Sequence, residues 1–150
     1  DVCSSDLIMS VGSMASTALQ VADLLAAQGI GATVVDPRWV VPVPKSVVAM
    51  SAEHRLVVTI EDGIKVGGIG TRVRQDLREA QIDTALTEIG LPDEFINHAT
   101  RNQILEDTGL TAQAIARDIV AQVVGSRVPH ARSVDASSST NEASKPSAIN

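Results

Sequence analysis

The sequence predicts an α/β fold of three layers, in which helices cover both faces of a mostly parallel sheet of about five strands. The first observation is that short apolar segments alternate with helical patterns along the chain, which is typical of successive β-α-β units. The second is composition: the 150 residues include one Trp, one Phe and no Tyr, so Val, Ile, Leu and Ala must form the core. Such a core suits strands that are buried on both faces.

The first half of the chain predicts three strands and two helices. Ser13 or Ser16 offers a side chain to cap the first helix, and Gly29 marks its end. Pro44 opens the second helix, because proline is tolerated in a first helical turn. In order, these segments are strand 7–11, helix 13–28, strand 32–36, helix 44–52 and strand 56–60.

The second half predicts three helices and one further strand. Thr100 and Gln103 have the spacing of a capping box, which marks the start of a short helix. Apolar residues recur at helical spacing from Ala114 to Val123, and Gly125 is the predicted end of this last helix. In order, the segments are helix 68–80, strand 84–89, a short helix from residue 100 and a helix from residue 111.

Composition divides the chain into three parts. Residues 1–6 have no periodicity and precede the first strand directly, which predicts a leader outside the domain, foreign to the native gene in one interpretation. Residues 7–125 form the α/β domain. Residues 126–150 are Ser-rich and nearly free of large apolar side chains, so we expect a disordered tail. The abrupt start without Met indicates a fragment of a longer protein.

Charge and composition exclude several classes of partner. The net charge of −6 and the scarcity of aromatic residues argue against nucleic acid, and the charge also argues against an anionic membrane. No apolar run is long enough to span a bilayer, and no signal peptide is visible. The single cysteine, Cys3, excludes a disulfide framework and fits a reducing compartment. We therefore expect a cytoplasmic protein.

The most informative segment is 60–70, where two acids and several glycines stand between a strand and a helix. Its spacing departs from the phosphate-binding loop, and Val73 stands where the dinucleotide fingerprint requires a third glycine. Two interpretations stay open. Either the glycines permit positive φ and close backbone packing, or the helix start binds an anion together with Ser13. The glycines concerned are Gly67, Gly68 and Gly70.

Glu61 and Asp62 are adjacent acids at the end of the third predicted strand. Neighbouring side chains on an extended chain point to opposite faces, which argues against a catalytic pair that shares a proton. We expect one acid to cap the turn and the other to meet a cationic partner.

The segment Asp36-Pro37-Arg38-Trp39 follows the second strand, at the edge where open α/β sheets bind ligands. Arg38 can grip a phosphate or pair with Asp36, Glu61 or Asp62, and we favour pairing. Trp39 is better interpreted as a packing or interface anchor than as a stacking partner for a cofactor.

The histidines give no metal site. His54, His98 and His130 are scattered and lack metal-ligand spacing with one another or with Cys3. Only His98, in a loop after the fourth strand, merits a functional test. No Ser-His-Asp or Cys-His constellation can be assigned, so we expect no catalytic residue and no cofactor-binding or metal-binding residue here.

Four blocks carry a family resemblance that runs from about residue 8 to residue 124. The chain resembles the C-terminal domain of the 1-deoxy-D-xylulose-5-phosphate synthase family, thiamine-diphosphate enzymes of the transketolase class. The Gly-Leu-Pro-Asp block is more specific to that family than the other three. The blocks are Val11-Gly12-Ser13, residues 35–42, Glu61-Asp62 with Gly67 to Gly70, and residues 90–96.

The resemblance implies a transferase that decarboxylates pyruvate on thiamine diphosphate, adds the two-carbon unit to glyceraldehyde 3-phosphate and supplies isoprenoid biosynthesis. It implies that the thiamine and Mg²⁺ motifs lie in N-terminal and middle domains, so this fragment binds no cofactor and is inactive alone. Its partners would be those domains and the second subunit of a homodimer. The loops with Arg38, Trp39 and residues 61–70 would form the contacts.

Two other functions stay open at this stage. One is a self-standing module that binds a small anion or effector at the helix starts after Gly12 and Gly67. The other is the C-terminal domain of a different transketolase-like enzyme, such as a 2-oxoacid dehydrogenase β subunit.

Overall fold

A computed structural model describes residues 5–126, which form a parallel sheet between two layers of helices. The strands pair in the order β2-β1-β3-β4, so the described part has four strands where the sequence predicted about five. The elements are β1 (Asp6–Ser10), α1 (Ala15–Ala26), β2 (Ala32–Val35), α2 (Lys45–Ser51), β3 (Leu56–Ile64), α3 (Ile69–Glu79), β4 (Ala85–Leu91), α4 (Arg101–Asp107) and α5 (Ala112–Ser126).

The two faces of the sheet have separate apolar cores, which confirms the three-layer prediction. Alternate residues of a strand point to opposite faces, so Ile8 packs with α1 and α5, and Leu7 packs with α2 and α3. All five residues of β1 are buried, because helices cover both sides of this strand. Helices therefore cover both faces of the sheet, and a functional site is best sought at the strand ends.

The strand order creates a topological switch point at one edge of the sheet. The chain moves from β1 to β2 on one side and then crosses to β3 on the other side of β1. The loops that leave β1 and β3 therefore diverge, and in open α/β sheets such a switch point is where ligands bind. The backbone N–H of Val11 donates to the carbonyl of Ile60 at 2.9 Å and holds the two strand ends together.

Strand β3 extends further than the sequence predicted. It continues past Ile60 to Ile64, so Glu61 and Asp62 lie within the strand and not in a turn after it. The pairing register shifts between Ile60 and Ile64, and Ile64 then pairs with Leu91 of β4. An irregularity of this kind re-aims side chains at a strand end, and the acids and Gly63 hid it from the apolar pattern.

Several helix boundaries also differ from their predicted positions. A 3₁₀ turn at Gly12–Met14 precedes α1, and α1 begins without a side-chain cap from Ser13 or Ser16. Gly29 has a φ of +73° and ends the first helical segment as predicted. Helix α5 continues through Gly125, so that glycine is not its end. The capping box of Thr100 and Gln103 is confirmed, because both reciprocal hydrogen bonds are present.

The first strand begins at Asp6, one residue before its predicted start. The Asp6 side chain is buried, and Arg55 donates two hydrogen bonds to its Oδ1 at 3.0 and 2.8 Å. Asp6 therefore belongs to the sheet and not to the leader. Cys3, His130 and nearly all of the predicted tail lie outside the described residues.

Candidate functional site

The candidate site is the edge of the sheet where the four parallel strands end. Every loop that leaves a strand starts at this edge, because the strands all point the same way. Ser13, Asp36, Asp62 and the glycine segment all lie on these loops or strand ends, as does His98. The fold thus places the sequence-predicted residues on one edge, and their individual contacts decide which of them act together.

Glu61 is the acid that caps a helix. Its Oε2 accepts a hydrogen bond from the backbone N–H of Ile69 and its Oε1 accepts one from Gly70, each at 3.1 Å. The residue is 7% exposed, and the N-cap residue Gly68 has no side chain to supply this contact. The prediction that one acid caps the helix start is confirmed.

Asp62 is the acid with a cationic partner, and that partner is Arg101. Arg101 donates from Nε and Nη2 to Asp62 Oδ2 at 3.1 and 2.6 Å, and from Nη2 to Ser13 Oγ at 3.1 Å. Ser13 Oγ in turn donates to the same carboxylate oxygen at 3.3 Å. This trio joins the 3₁₀ turn after β1, the end of β3 and the start of α4 across the switch point. The pair is partly exposed, so its net stabilisation is modest.

Arg101 is the contact residue that the sequence did not reveal. It follows Thr100 as the first residue of α4, a position that the capping box marks but whose partner it does not specify. Asp62 lies 39 residues earlier, and only the sheet topology brings the two together. The sequence offered two indirect signals. One was the prediction that Asp62 or Glu61 pairs with a cation, and the other was an arginine at the start of the short helix that follows β4.

Arg38 does not make the ion pair that the sequence favoured. Within residues 5–126, no hydrogen bond or ion pair joins Arg38 to Asp36, Glu61 or Asp62. The reason is that the acids of β3 are already engaged by the α3 backbone and by Arg101. Asp36 and Arg38 are exposed, and Trp39 is 72% exposed beside them.

The glycines act through two different properties. Gly67 has a φ of +75°, which favours glycine, whereas Gly68 has a φ of −74° and is required for space. A Cβ on Gly68 would lie 2.6 Å from the carbonyl oxygen of Ile64, and one on Gly70 would lie 2.5 Å from Thr59 Oγ1. The predicted combination of positive φ and close packing is confirmed for this segment.

The histidines and the acids do not assemble a metal centre. In the part of the chain that the structure describes, no group of three or more His, Cys, Asp or Glu side chains is placed to hold a metal ion. His98 is exposed in the loop before α4, and His54 contacts the Met50 carbonyl and Thr33 at the opposite edge.

Large apolar side chains are exposed on the same edge. Of the nine that are exposed in the described residues, six lie here, and we call them the carboxyl-edge apolar surface. They come from the loops after β2, β3 and β4 and from the end of β3 itself. Single exposed apolar residues are common on protein surfaces, whereas six on one edge are a distinctive feature of this domain. The six are Trp39, Val41, Ile64, Val66, Phe95 and Ile96.

The helices give no sign of a membrane span. None in the described range 5–126 combines the length and apolarity that crossing a bilayer requires.

Comparison with known families gives one match that covers most of the chain. Residues 5–115 match the model of the family described as transketolase, C-terminal domain. The match begins one residue before β1 and reaches into α5. It therefore covers all four strands and the loops of the candidate site.

The similar proteins point in the same direction. The chain is 74% identical over 126 residues to 1-deoxy-D-xylulose-5-phosphate synthase of Leifsonia xyli subsp. xyli, and 73% identical to the enzyme of the same name in Clavibacter sepedonicus. Each match covers 84% of this chain but 19% of the relative, so the chain spans about a fifth of the relatives' length.

One solved structure shares the fold over most of the chain. It is described as a split gene transketolase, inactive beta4 tetramer, and it superimposes with a TM-score of 0.73 at 30% identity. The alignment covers 81% of this chain and 40% of that chain. The match supports the three-layer architecture independently of the sequence pattern.

Proposed function

The chain belongs to the transketolase C-terminal domain family, and from that premise we propose that it is the C-terminal domain of a 1-deoxy-D-xylulose-5-phosphate synthase, in which it provides structure and contact surface. The identities of 73–74% to two such synthases support this assignment over another transketolase-like enzyme. In this proposal the remaining four-fifths of the parent carry the chemistry. A cytoplasmic location remains part of the proposal.

The proposed parent joins pyruvate to glyceraldehyde 3-phosphate with loss of CO₂. Thiamine diphosphate and Mg²⁺ would supply that chemistry from the other domains, as the resemblance to the synthase family implies. The role left to this chain is to pack against those domains and to support a homodimer. Nothing in the proposal requires an acid or base from this chain.

The observation that carries the proposal is the carboxyl-edge apolar surface. Trp39, Val66 and Phe95 project from three different loops of one edge, and Phe95 is fully exposed. Aromatic side chains of this kind supply much of the energy at protein contacts. Hydrogen bonds among Ser13, Asp62 and Arg101 join the turn after β1, the end of β3 and the start of α4, which supports a fixed position for the loops that carry Val66 and Phe95.

The direct test exchanges this chain into a relative. The matching 126-residue segment of the Leifsonia xyli synthase is replaced by that of this chain. We expect the chimera to form deoxyxylulose phosphate and to assemble as the unmodified enzyme does. The isolated 150-residue chain, supplied with Mg²⁺ and thiamine diphosphate, should form none. Turnover by the isolated chain, or a folded chimera without activity, would refute the assignment.

A matched pair of valines tests the contact surface within the same chimera. Val66 and Val124 are 67% and 55% exposed, but only Val66 lies on the carboxyl-edge apolar surface. We expect Val66→Asp to lower activity and assembly by about tenfold or more, since a buried unpaired charge is costly at a contact. Val124→Asp should leave both unchanged. Equal effects of the two substitutions would contradict the proposal that the carboxyl-edge apolar surface contacts a partner.

The alternative of a self-standing anion module loses support from one contact. Its main site would be the helix start after Gly67, and the Glu61 carboxylate already accepts hydrogen bonds from the N–H groups there. Titration calorimetry of the isolated chain with inorganic phosphate and nucleotides separates the two functions. If no heat of binding is measured at millimolar ligand, the anion-binding function is excluded and the proposed contact role is favoured.

A further inference from the structure

The carboxylate of Glu61 lies where an anionic ligand would bind at the start of α3. Its two oxygens accept one hydrogen bond each from the consecutive backbone N–H groups of Ile69 and Gly70. The first N–H groups of a helix lack partners within the helix, and the helix dipole favours negative charge beside them. Bound phosphates and carboxylates in proteins make the same contacts at such positions. The side chain thus fulfils the role of a ligand.

A recess that lacks side chains holds this carboxylate. A Cβ on Gly68 would lie 2.7 Å from Glu61 Cδ, and a Cβ on Gly90 would lie 3.3 Å from Glu61 Cγ. Real Cβ atoms are not found at the first distance and rarely at the second. Glu61 is 7% exposed, so its side chain is largely shielded from solvent.

We propose that Glu61 is a built-in ligand, a carboxylate from β3 that fills the anion position of α3 and closes it to external anions. In this proposal the glycine-rich segment leaves room for the Glu61 side chain. It does not serve to cradle a phosphate. Glu61 lies in β3, eight positions before Ile69, so its hydrogen bonds connect β3 to the start of α3. The inference rests on contacts within the chain, so it stands whether or not the proposed function does.

Chemical rescue tests the proposal directly. Glu61→Ala removes the same heavy atoms that acetate contains, so acetate should fit the vacated recess. In the 150-residue chain we expect Glu61→Ala to lower the folding equilibrium constant by about 2- to 30-fold, the range for a lost helix cap. Sodium acetate should then raise the urea midpoint of the variant. Acetate also stabilises folded proteins more than chloride does without binding to a site, so both chains are compared in the two sodium salts at equal ionic strength. The gain in acetate over chloride should be larger in the variant than in wild type.

Two further variants separate the charge from the shape. Glu61→Gln keeps the shape but turns an amide donor toward a backbone N–H, so it should be destabilised, and acetate should not rescue a recess that is still filled. Glu53→Ala is the matched control, because Glu53 is exposed and its side chain makes no hydrogen bond or ion pair within residues 5–126. It should lose little stability and show no acetate-specific response.

The results that overturn the proposal are equally definite. They are a Glu61→Ala chain that gains no more from acetate over chloride than wild type does, and a Gln variant as stable as wild type. If Glu61→Ala is unfolded in chloride, far-ultraviolet circular dichroism should show that it refolds in acetate. A variant that stays unfolded in acetate counts against the proposal.

Discussion

Two arginines show how burial decides the value of an ion pair. Arg55 meets Asp6, whose side chain is fully buried, whereas Arg101 meets Asp62, whose side chain is 30% exposed. Removing the partner of a buried charge leaves that charge uncompensated in a medium of low dielectric. Removing the partner of an exposed charge lets water take its place. The two pairs have similar geometry but opposite surroundings.

We therefore predict that Arg55→Ala destabilises the chain by about 3–5 kcal/mol and Arg101→Ala by about 1 kcal/mol or less. Urea unfolding of both variants measures the difference. Added salt should reduce the difference in unfolding free energy between Arg101→Ala and wild type. It should leave the difference between Arg55→Ala and wild type largely unchanged, because salt screens buried pairs less. Equal losses in the two variants would contradict the assignment of Asp6 to the buried sheet.

Gly68 gives a second prediction at this scale. Gly68→Val should cost about 1–3 kcal/mol more than Ala80→Val, because its Cβ would overlap the Ile64 carbonyl and the Glu61 carboxylate. Ala80 ends α3 at the surface, where valine costs only a fraction of that in helix propensity. The physical cause is crowding and not positive φ, which belongs to Gly67. Denaturant melts of both variants measure the difference, and equal midpoints would show that the Gly68 backbone can move aside.

At the scale of elements, the sequence predicted the type of every helix and strand but not every boundary. Apolar strands such as 56–60 and the box of Thr100 with Gln103 are local signals, so they could be recognised directly. The extension of β3 to Ile64 depends on pairing with Leu91 of β4, which no local pattern records. Strand geometry likewise predicted that Glu61 and Asp62 have different partners. That Arg101 is the partner of Asp62 could be seen only from the sheet topology.

Helix α4 offers a test of a local signal. It has only seven residues and no buried side chain, so its N-terminal capping box supplies much of what stabilises it. We predict that Thr100→Ala costs about 1 kcal/mol. Hydrogen exchange should show faster exchange in α4 with little change in the sheet strands. Serine at this position keeps the hydroxyl acceptor, so Thr100→Ser should behave nearly as wild type, and an unaltered exchange rate in the Ala variant would contradict this account.

At the scale of the whole molecule, the apolar cores and the apolar exposed surface are spatially separate. The two cores lie on the faces of the sheet, and the carboxyl-edge apolar surface lies across the strand ends. If the carboxyl-edge apolar surface is the contact surface we propose, folding and contact with a partner can be altered independently. Substitutions at Val66 or Phe95 should change assembly with little effect on unfolding, and substitutions at Ile8 or Val57 should do the reverse.

The segment after α5 gives the prediction for the chain as a whole. Residues 127–150 contain almost no large apolar side chains, so we expect them to add nothing to the folded core. Truncation after Ser126 should change the free energy of unfolding by no more than about 0.5 kcal/mol. Urea unfolding of the truncated and complete chains provides the comparison. A loss of several kcal/mol would show that the segment docks on the domain.

The central place of β1 has a consequence for how fast the domain can fold. Each residue of β1 pairs with the residue of β3 that lies 50 positions later, as Asp6 does with Leu56 and Ser10 with Ile60. The middle of the sheet therefore cannot form until a loop of that length closes, and the entropy of closure comes before any pairing is gained. Strand β1 can pair earlier with β2, which lies 26 positions later, as Asp6 does with Ala32. We therefore expect the pairing of β1 with β3, across the connection that makes the switch point, to be the slower step.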